Sequence, residues 1–457
     1  MIDTAPLLEG LERRLADGGD GRRLVSITAE VELDDPCAAV FASRLAGDRW
    51  FTWEQPDRGF ALAGIGSVAE VVSRGRPRFQ DLSAECARVG RGRSADGPDD
   101  LPAGAGPVWV GGFAFDADGG RSPQWSSFPP ALMVLPELTL ARVDGGTYLT
   151  VSALTGGDAA DQASRRLAGL RDAQLPLLDP HPSGETTIRS IAPPGRYEEA
   201  VAAAVGRIRG GELEKIVLAR EVTVDAPAAH DPAALFGALR ELFPSCFCFC
   251  AGSPEGAFIG ASPELLVRRR GATAATVALA GSTRRSADPA VDDHLGEQLL
   301  RSPKDRSEHE IVARRIERGL RRRAVWVHAE PDPVLIKVAN IQHLATPIHA
   351  QLADPASAIE LAGLLHPTPA VGAEPRDPGL AAIAELEQLD RGWYAGPVGW
   401  MDAAEDGEFC VALRSALLRD RTAHLYAGAG IVADSDPAAE LAETEIKLGA
   451  LLPLLAG

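Results

Sequence analysis

Hydrophobic and polar positions in residues 1–150 come in short runs broken by turn residues, a pattern of strands more than helices. Residues 49–53 and 59–64 read as paired strands joined by Gln55-Pro56-Asp57-Arg58. Residues 108–116 predict another strand, in which Gly111-Gly112 signals a bulge or a close backbone approach. Residues 131–136 predict a short buried strand. Residues 1–19 carry an amphipathic helical pattern, and 157–172 a helical stretch rich in Ala, Arg and Leu. Residues 176–195 are rich in Pro, Ser and Gly and aperiodic, which marks a linker-like segment. Beyond it, 197–209 read as a helix stopped by Gly210-Gly211, and 214–224 as a strand. Strands and helices then mix to residue 457, with no tandem repeat. Long strands in both halves, 1–175 and 196–457, favour one large mixed body, a single domain over 1–457.

Composition narrows the function. Hydrophobic residues at 45% and charged residues at 24% are ordinary for a globular chain. A formal net charge of −18 repels nucleic acid and anionic membranes, so neither is expected as a partner. An anionic substrate must then be held by a local cation cluster or a metal. No run of about 18 apolar residues predicts a membrane span, and the N-terminal segment lacks the apolar centre of a signal peptide. Six cysteines form no disulfide framework. Cys246, Cys248 and Cys250 alternate with Phe247 and Phe249, so they share one strand face. Without flanking His or Cys at zinc spacing, they read as buried packing. Together these features predict a cytoplasmic protein.

The candidate chemistry is scattered. Lys215 shares a strand face with Val217 and Ala219, where lost hydration disfavours the ammonium and suits a general base. The plainer reading is a lysine at a strand start reaching solvent. Glu264, between Pro263 and Leu265, is a general acid if buried and a surface carboxylate if not. Gly281 and Ser282 lie in an expected loop that suits carboxylate binding through backbone N–H groups. Ser302 and Pro303 suit the N-cap and first position of a helix that puts Asp305 and Glu308 on one face. Asp305 sits where a capping role would explain it; Glu308 does not. Asp436 and Pro437 open a second such helix, with Glu440, Glu443 and Lys447 at spacings of three and four. That is either a solvated Glu–Lys face or half of a hard-cation site. Residues 428–432, Gly-Ala-Gly-Ile-Val, are too close to residue 457 for a dinucleotide fold, but a glycine turn there offers N–H groups to a carboxylate. His343 is expected just after a strand, residues 366–372 in a rigid loop, Tyr394 in the segment leading to a strand, and Arg414 on a strand, suited to bidentate carboxylate binding.

Their order is what resembles a family. The segments KIVLAR, SPE, LAGS, KDRSEHE, HLATP, HPTPAVG, GWYAGPVGW, ALR, GAGIV and ETEIK follow one another as in the chorismate-utilizing enzymes. The resemblance is strongest over 196–456 and continues more weakly through WFTWEQPDRGFALAG and WVGGFAFD. It implies an α+β fold, with large central antiparallel sheets sandwiched by outer helices (α/β/β/α) and the acidic helices flanking a central cleft. Within the family, Ala280 stands where aminodeoxychorismate synthases carry a nucleophilic lysine. Pro369-Ala370-Val371-Gly372 stands where anthranilate synthases show Gly-Thr-Leu-Ser-Gly. Both look like the isochorismate synthase branch; Ala373 departs from the small residue, often a second Gly, found there.

The resemblance implies Mg²⁺ on Glu308 and Glu443, with Asp305 and Glu440 as accessory acids, holding the ring carboxylate of chorismate. Arg414, Tyr394 and the Gly430 backbone would hold the enolpyruvyl carboxylate; Lys447, Gly281 and Ser282 would lie near the metal-bound one, and His343 lines the same substrate site. Lys215 would activate water for attack at ring C2, and Glu264 would protonate the leaving C4 hydroxyl, giving isochorismate without an obligatory protein partner. A salicylate synthase, an anthranilate synthase component and an inactive binding paralogue are the rivals.

Overall fold

The computed structural model describes residues 4–16, 23–98, 100–179, 184–338 and 341–457. Among these, the strands form one sheet of thirteen and one of ten. All ladders are antiparallel except the pairing of Leu24–Glu30 with Ser94–Asp96. Strands from the two halves of the chain share both sheets. In the larger, Phe247–Ser253 pairs with Trp50–Gln55, Cys250 opposite Thr52. In the smaller, Pro397–Asp402 pairs with Val108–Phe113, Trp400 opposite Val110. The linker-like segment is not aperiodic throughout: Thr187–Ser190 adds an edge strand to Lys215–Asp225, while residues 180–183 lie outside the described residues.

Burial on both faces explains the strand-rich pattern. The alternation at 246–251 splits between two cores. Phe247, Phe249 and Ala251 join the core between the sheets; Cys246, Cys248 and Cys250 join the one beneath the outer helices. Helices Ala5–Ala16, Pro36–Ser43, Ala159–Ala168 and Pro232–Leu242 cover the larger sheet. Arg78–Gly90, Pro303–Leu320 and Ala358–Leu365 cover the smaller. The layer order is helix, sheet, sheet, helix. No helix among the described residues is long and apolar enough to cross a membrane.

Four local expectations change. The expected loop at 279–285 belongs to strand Thr273–Arg284, whose register shifts between Ala280 and Ser282, around Gly281 at φ +74. His343 lies within strand Ile341–Leu352, opposite Ser282, rather than after a strand. Gly428 and Gly430 are not in a turn; they lie in strand Thr422–Ile431, opposite Ala219 and Val217. In each case ladders on the strand's neighbours carry residues that the sequence presents as punctuation. Conversely, Arg414 is not on a strand: it occupies the turn between Gly407–Val411 and Ser415–Arg419 at φ +46. Left-handed backbone at a non-glycine residue costs energy and is concentrated at functional sites. The glycine pair at 111–112 is a close approach, since a Cβ at Gly111 would collide with the Leu132 carbonyl.

Candidate active site

Lys215 opens strand Lys215–Asp225 and is completely buried. Its surroundings are not purely apolar, because its Nζ lies 2.9 Å from Glu308 Oε1. Beside it is Gly430, opposite Val217 on the neighbouring strand, where a Cβ would collide with Glu308 Oε1 and lie 3.1 Å from Lys215 Cε. The glycine thus makes room for the ion pair. Gly430 lines the same cavity as Arg414 and Tyr394.

Glu264 sits where the chain passes from strand Gly256–Ser262 into Leu265–Arg270. It is 3% exposed, and its backbone N–H donates to Ser262 Oγ at 3.2 Å. Burial pushes its carboxyl up to about 8, against the weaker pull of Lys215 and Lys447. At neutral pH it therefore keeps a proton to give.

The acidic helices form as their caps predict. Ser302 Oγ accepts from Asp305 N in Pro303–Leu320, and the Asp436 carboxylate accepts from Ala439 N in Pro437–Leu448. Spacings of three and four turn Glu308 and Glu443 toward one cavity. Glu443 Oε1 accepts from Ser282 Oγ at 3.2 Å and meets Lys447 Nζ at 2.8 Å. Burial opposes its charge, but Lys447 and Ser282 outweigh burial and hold its carboxyl below the usual range. Lys447 also donates to the Gly428 carbonyl at 2.8 Å. Asp305 and Glu440 do not line the cavity. Glu440, 2% exposed, takes a hydrogen bond from Lys304 at 3.1 Å. Burial raises both carboxyls, and acidic neighbours raise them further: Glu308 and Glu443 for Asp305, Glu443 for Glu440.

Among the described residues, no three of His, Cys, Asp and Glu converge as a ready cage for a metal ion. Of the four acids expected at the metal, Glu308 and Glu443 line the cavity, while the accessory Asp305 and Glu440 do not. Even so, Glu308, Glu443 and the Ser282 hydroxyl present hard oxygen donors, and the acids repel one another. That donor chemistry fits Mg²⁺, which takes one or two carboxylates and leaves its other positions to water and substrate.

The remaining wall carries His343, Tyr394 and Arg414. Arg414 Nη2 lies 3.1 Å from His343 Nε2, while its buried Nη1 makes no hydrogen bond of ordinary geometry among the described residues. Burial lowers the Arg414 guanidinium, and burial with the neighbouring Arg414 keeps His343 neutral. An unsatisfied guanidinium edge beside a neutral imidazole suits a carboxylate ligand. Glu264, Gly281, Ser282, Glu308, His343, Tyr394, Arg414, Gly430, Glu443 and Lys447 thus line one cavity. Lys215 lies just behind its wall, reached through Glu308 and Gly430.

The sequence model of the chorismate binding enzyme family matches residues 12–456. The chain belongs to that family. This chorismate-binding enzyme is 33% identical to the isochorismate synthase MenF of Bacillus subtilis over 445 residues, 95% of this chain and 94% of that protein. It is 36% identical to the salicylate biosynthesis isochorismate synthase of Pseudomonas aeruginosa over 468 residues, 99% and 96% of the two chains. Among solved structures it resembles the menaquinone-specific isochorismate synthase of Escherichia coli, with a TM-score of 0.80, 28% identity and 99% of each chain covered.

The cavity of this family member also holds residues that sequence reasoning missed. Arg391 and Tyr426 line it. Tyr426 stacks on Tyr394 with ring centroids 5.3 Å apart. The signal for Arg391 was a charge placed just before Gly392-Trp393-Tyr394; nothing in the sequence set Tyr426 apart from an ordinary strand aromatic.

Proposed function

We propose that the chain is an isochorismate synthase that interconverts chorismate and isochorismate with Mg²⁺. The observation that carries this reading is Glu264, a buried carboxyl still protonated near neutral pH, in a cavity with Lys215 just behind its wall. Lys215, acting as the neutral amine, accepts a proton from water as the water oxygen bonds to ring C2 and becomes an ammonium facing Glu308. The ring double bonds shift, the C4–O bond breaks, and Glu264 delivers its proton to the leaving hydroxyl, which departs as water. One water enters and one leaves, so the reverse reaction exchanges the two roles.

Arg414, with neutral His343 and Tyr394, binds the enolpyruvyl carboxylate. Lys447 and the Gly281-Ser282 bulge sit at the ring carboxylate end, beside Glu308 and Glu443. Bound there, Mg²⁺ supplies positive charge to the ring carboxylate and polarises the conjugated ring. Ala280 on the cavity wall offers no amine for covalent amination, which favours water as the nucleophile. We place the enzyme in the cytoplasm, acting without a protein partner. Incubation with chorismate and Mg²⁺ tests the reading: isochorismate accumulating without salicylate or pyruvate supports it, and salicylate with equimolar pyruvate, or no turnover, overturns it.

A further inference from the structure

Among the described residues, the edge of strand Lys215–Asp225 turned away from Thr422–Ile431 has strand partners only at its two ends. Ala373–Glu374 pairs with Lys215 and Ile216, and Thr187–Ser190 pairs from Val222 onward. Between them the backbone needs other partners. Val217 N donates to the Gly372 carbonyl at 2.7 Å. Arg391 Nη2 donates to the Val217 carbonyl at 2.9 Å, and the Glu387 carboxylate accepts from Ala219 N at 2.7 Å. One side chain donates to a carbonyl and the other accepts from the N–H two residues on, as a neighbouring strand would.

The pair is itself fixed. Arg391 and Glu387 side chains are 3% and 1% exposed and ion-paired, with Arg391 Nε 2.9 Å from Glu387 Oε2. Helix Arg376–Glu387 ends in left-handed Gln388, which turns the chain so that Arg391 comes back over Glu387. Arg391 Nη1 donates to the Val371 carbonyl at 2.8 Å, and its guanidinium lies 4.1 Å from the centroid of the Phe115 ring. Val217, Val371 and Arg391 all line the cavity.

We propose that the buried Arg391–Glu387 pair is a positioning element, standing in for a missing strand beside Val217–Ala219 and locking the strand that carries Lys215 to the 366–372 loop. The inference rests on the proposed activity, because what it positions is the base. Lys215 lies two residues before Val217, on the same face. A slip of this strand moves the base while Glu443, His343 and Arg414, which stand on other elements, stay in place, and a misplacement of about 1 Å costs about 100-fold in rate.

Arg391→Lys keeps the charge and loses the planar fork; Glu387→Gln keeps the shape and an acceptor for Ala219 N but loses the charge. With wild type as the control, kcat on chorismate falls about 30-fold in Arg391→Lys and about 10-fold in Glu387→Gln. KM and the Mg²⁺ dissociation constant by calorimetry stay within about threefold of wild type in both. The proposal is overturned if kcat per folded molecule stays within about twofold in both variants, if the loss appears in KM, or if neither variant yields folded protein by circular dichroism. In that last case the pair serves the fold alone. An inactive wild type would instead sink the activity reading, so the two failures are distinguishable.

Discussion

The walls that carry Lys215 and Glu264 bury their ionisable groups alike, to 0% and 3% exposure, but surround them differently. Lys215 meets the Glu308 carboxylate at 2.9 Å. Glu264 has no cation within ion-pair distance among the described residues and keeps its proton to about pH 8. Burial sets the Glu264 side, because a carboxyl without a cationic partner is disfavoured as an anion. On the Lys215 side burial is only half of the arrangement. Lys215 Nζ lies against Glu308, a group that also faces the metal end of the cavity, so the base is tied to the metal site while the acid is not.

Removing either group should cut turnover sharply for a different reason, and the largest loss should follow from the lysine. Lys215→Ala is expected to lower kcat by about 10⁴-fold, at the upper end of what one general base supplies. Mg²⁺ binding should persist or tighten, because Glu308 loses a competing partner. Calorimetry with Mg²⁺ alone checks this, and loss of Mg²⁺ binding would show that the lysine holds the metal site together instead of acting on water.

Glu264→Gln is expected to cost about 10³-fold in kcat, and it tests the other wall through pH as well. Forward activity of the wild type should decline as pH rises through about 8, when Glu264 loses its proton. The residual activity of the Glu264→Gln variant should lack that limb. Stability follows the same proton. The unfolded chain ionises this carboxyl near its ordinary value of 4.5, the folded chain only near 8. Between those values the native state holds the extra proton, so stability falls as pH rises across the window and levels off above it. The glutamine variant is spared that loss. Its melting temperature relative to wild type should therefore rise from about pH 5 to about pH 8.5, and a constant difference would place the Glu264 titration elsewhere.

The two walls are also unequally legible in the sequence. Glu264 carries its burial in its neighbours, Pro263 and Leu265, and Lys215 in the alternation with Val217 and Ala219. Helix caps at Ser302 and Asp436 are local chemistry, so both acidic helices and their inward faces can be read from spacing. The Lys215–Glu308 pair cannot, because its members lie on separate elements that meet only through the fold. The β-bulge at Gly281 and the mid-strand glycines 428 and 430 read as loops, since glycine marks turns unless a ladder holds it on both sides. Arg414 shows the opposite error: an apolar neighbourhood suggests a strand, whereas φ +46 puts it in a turn.

The acidic helices offer a smaller effect that separates ligand from support. Glu443 faces the cavity and Glu440 is held by Lys304. Glu443→Gln should weaken Mg²⁺ binding on the order of 100-fold, equivalent to a charged contact worth about 3 kcal/mol. Glu440→Gln should weaken it by no more than about threefold, since its carboxylate is already engaged. Equal losses by calorimetry would restore the four-acid set that the sequence suggested.

The smallest effect tests whether the carboxylate-binding wall works by packing or by hydrogen bonding. Tyr426 lines the cavity, and its ring stacks on Tyr394 at 5.3 Å and on Trp125 at 5.8 Å. Its hydroxyl reaches Glu221 only at 3.5 Å, and Glu221 is already engaged by His424 Nδ1 at 2.7 Å. A contact that long adds little to holding the ring, whereas the stacked faces persist without the oxygen. Tyr426→Phe should therefore leave kcat and KM for chorismate within about threefold of wild type. A rise in KM of about tenfold or more would mean that the phenol, through Glu221, sets the position of Tyr394, and the hydrogen-bonded chain from Tyr426 to His424 would then belong to the substrate-binding wall.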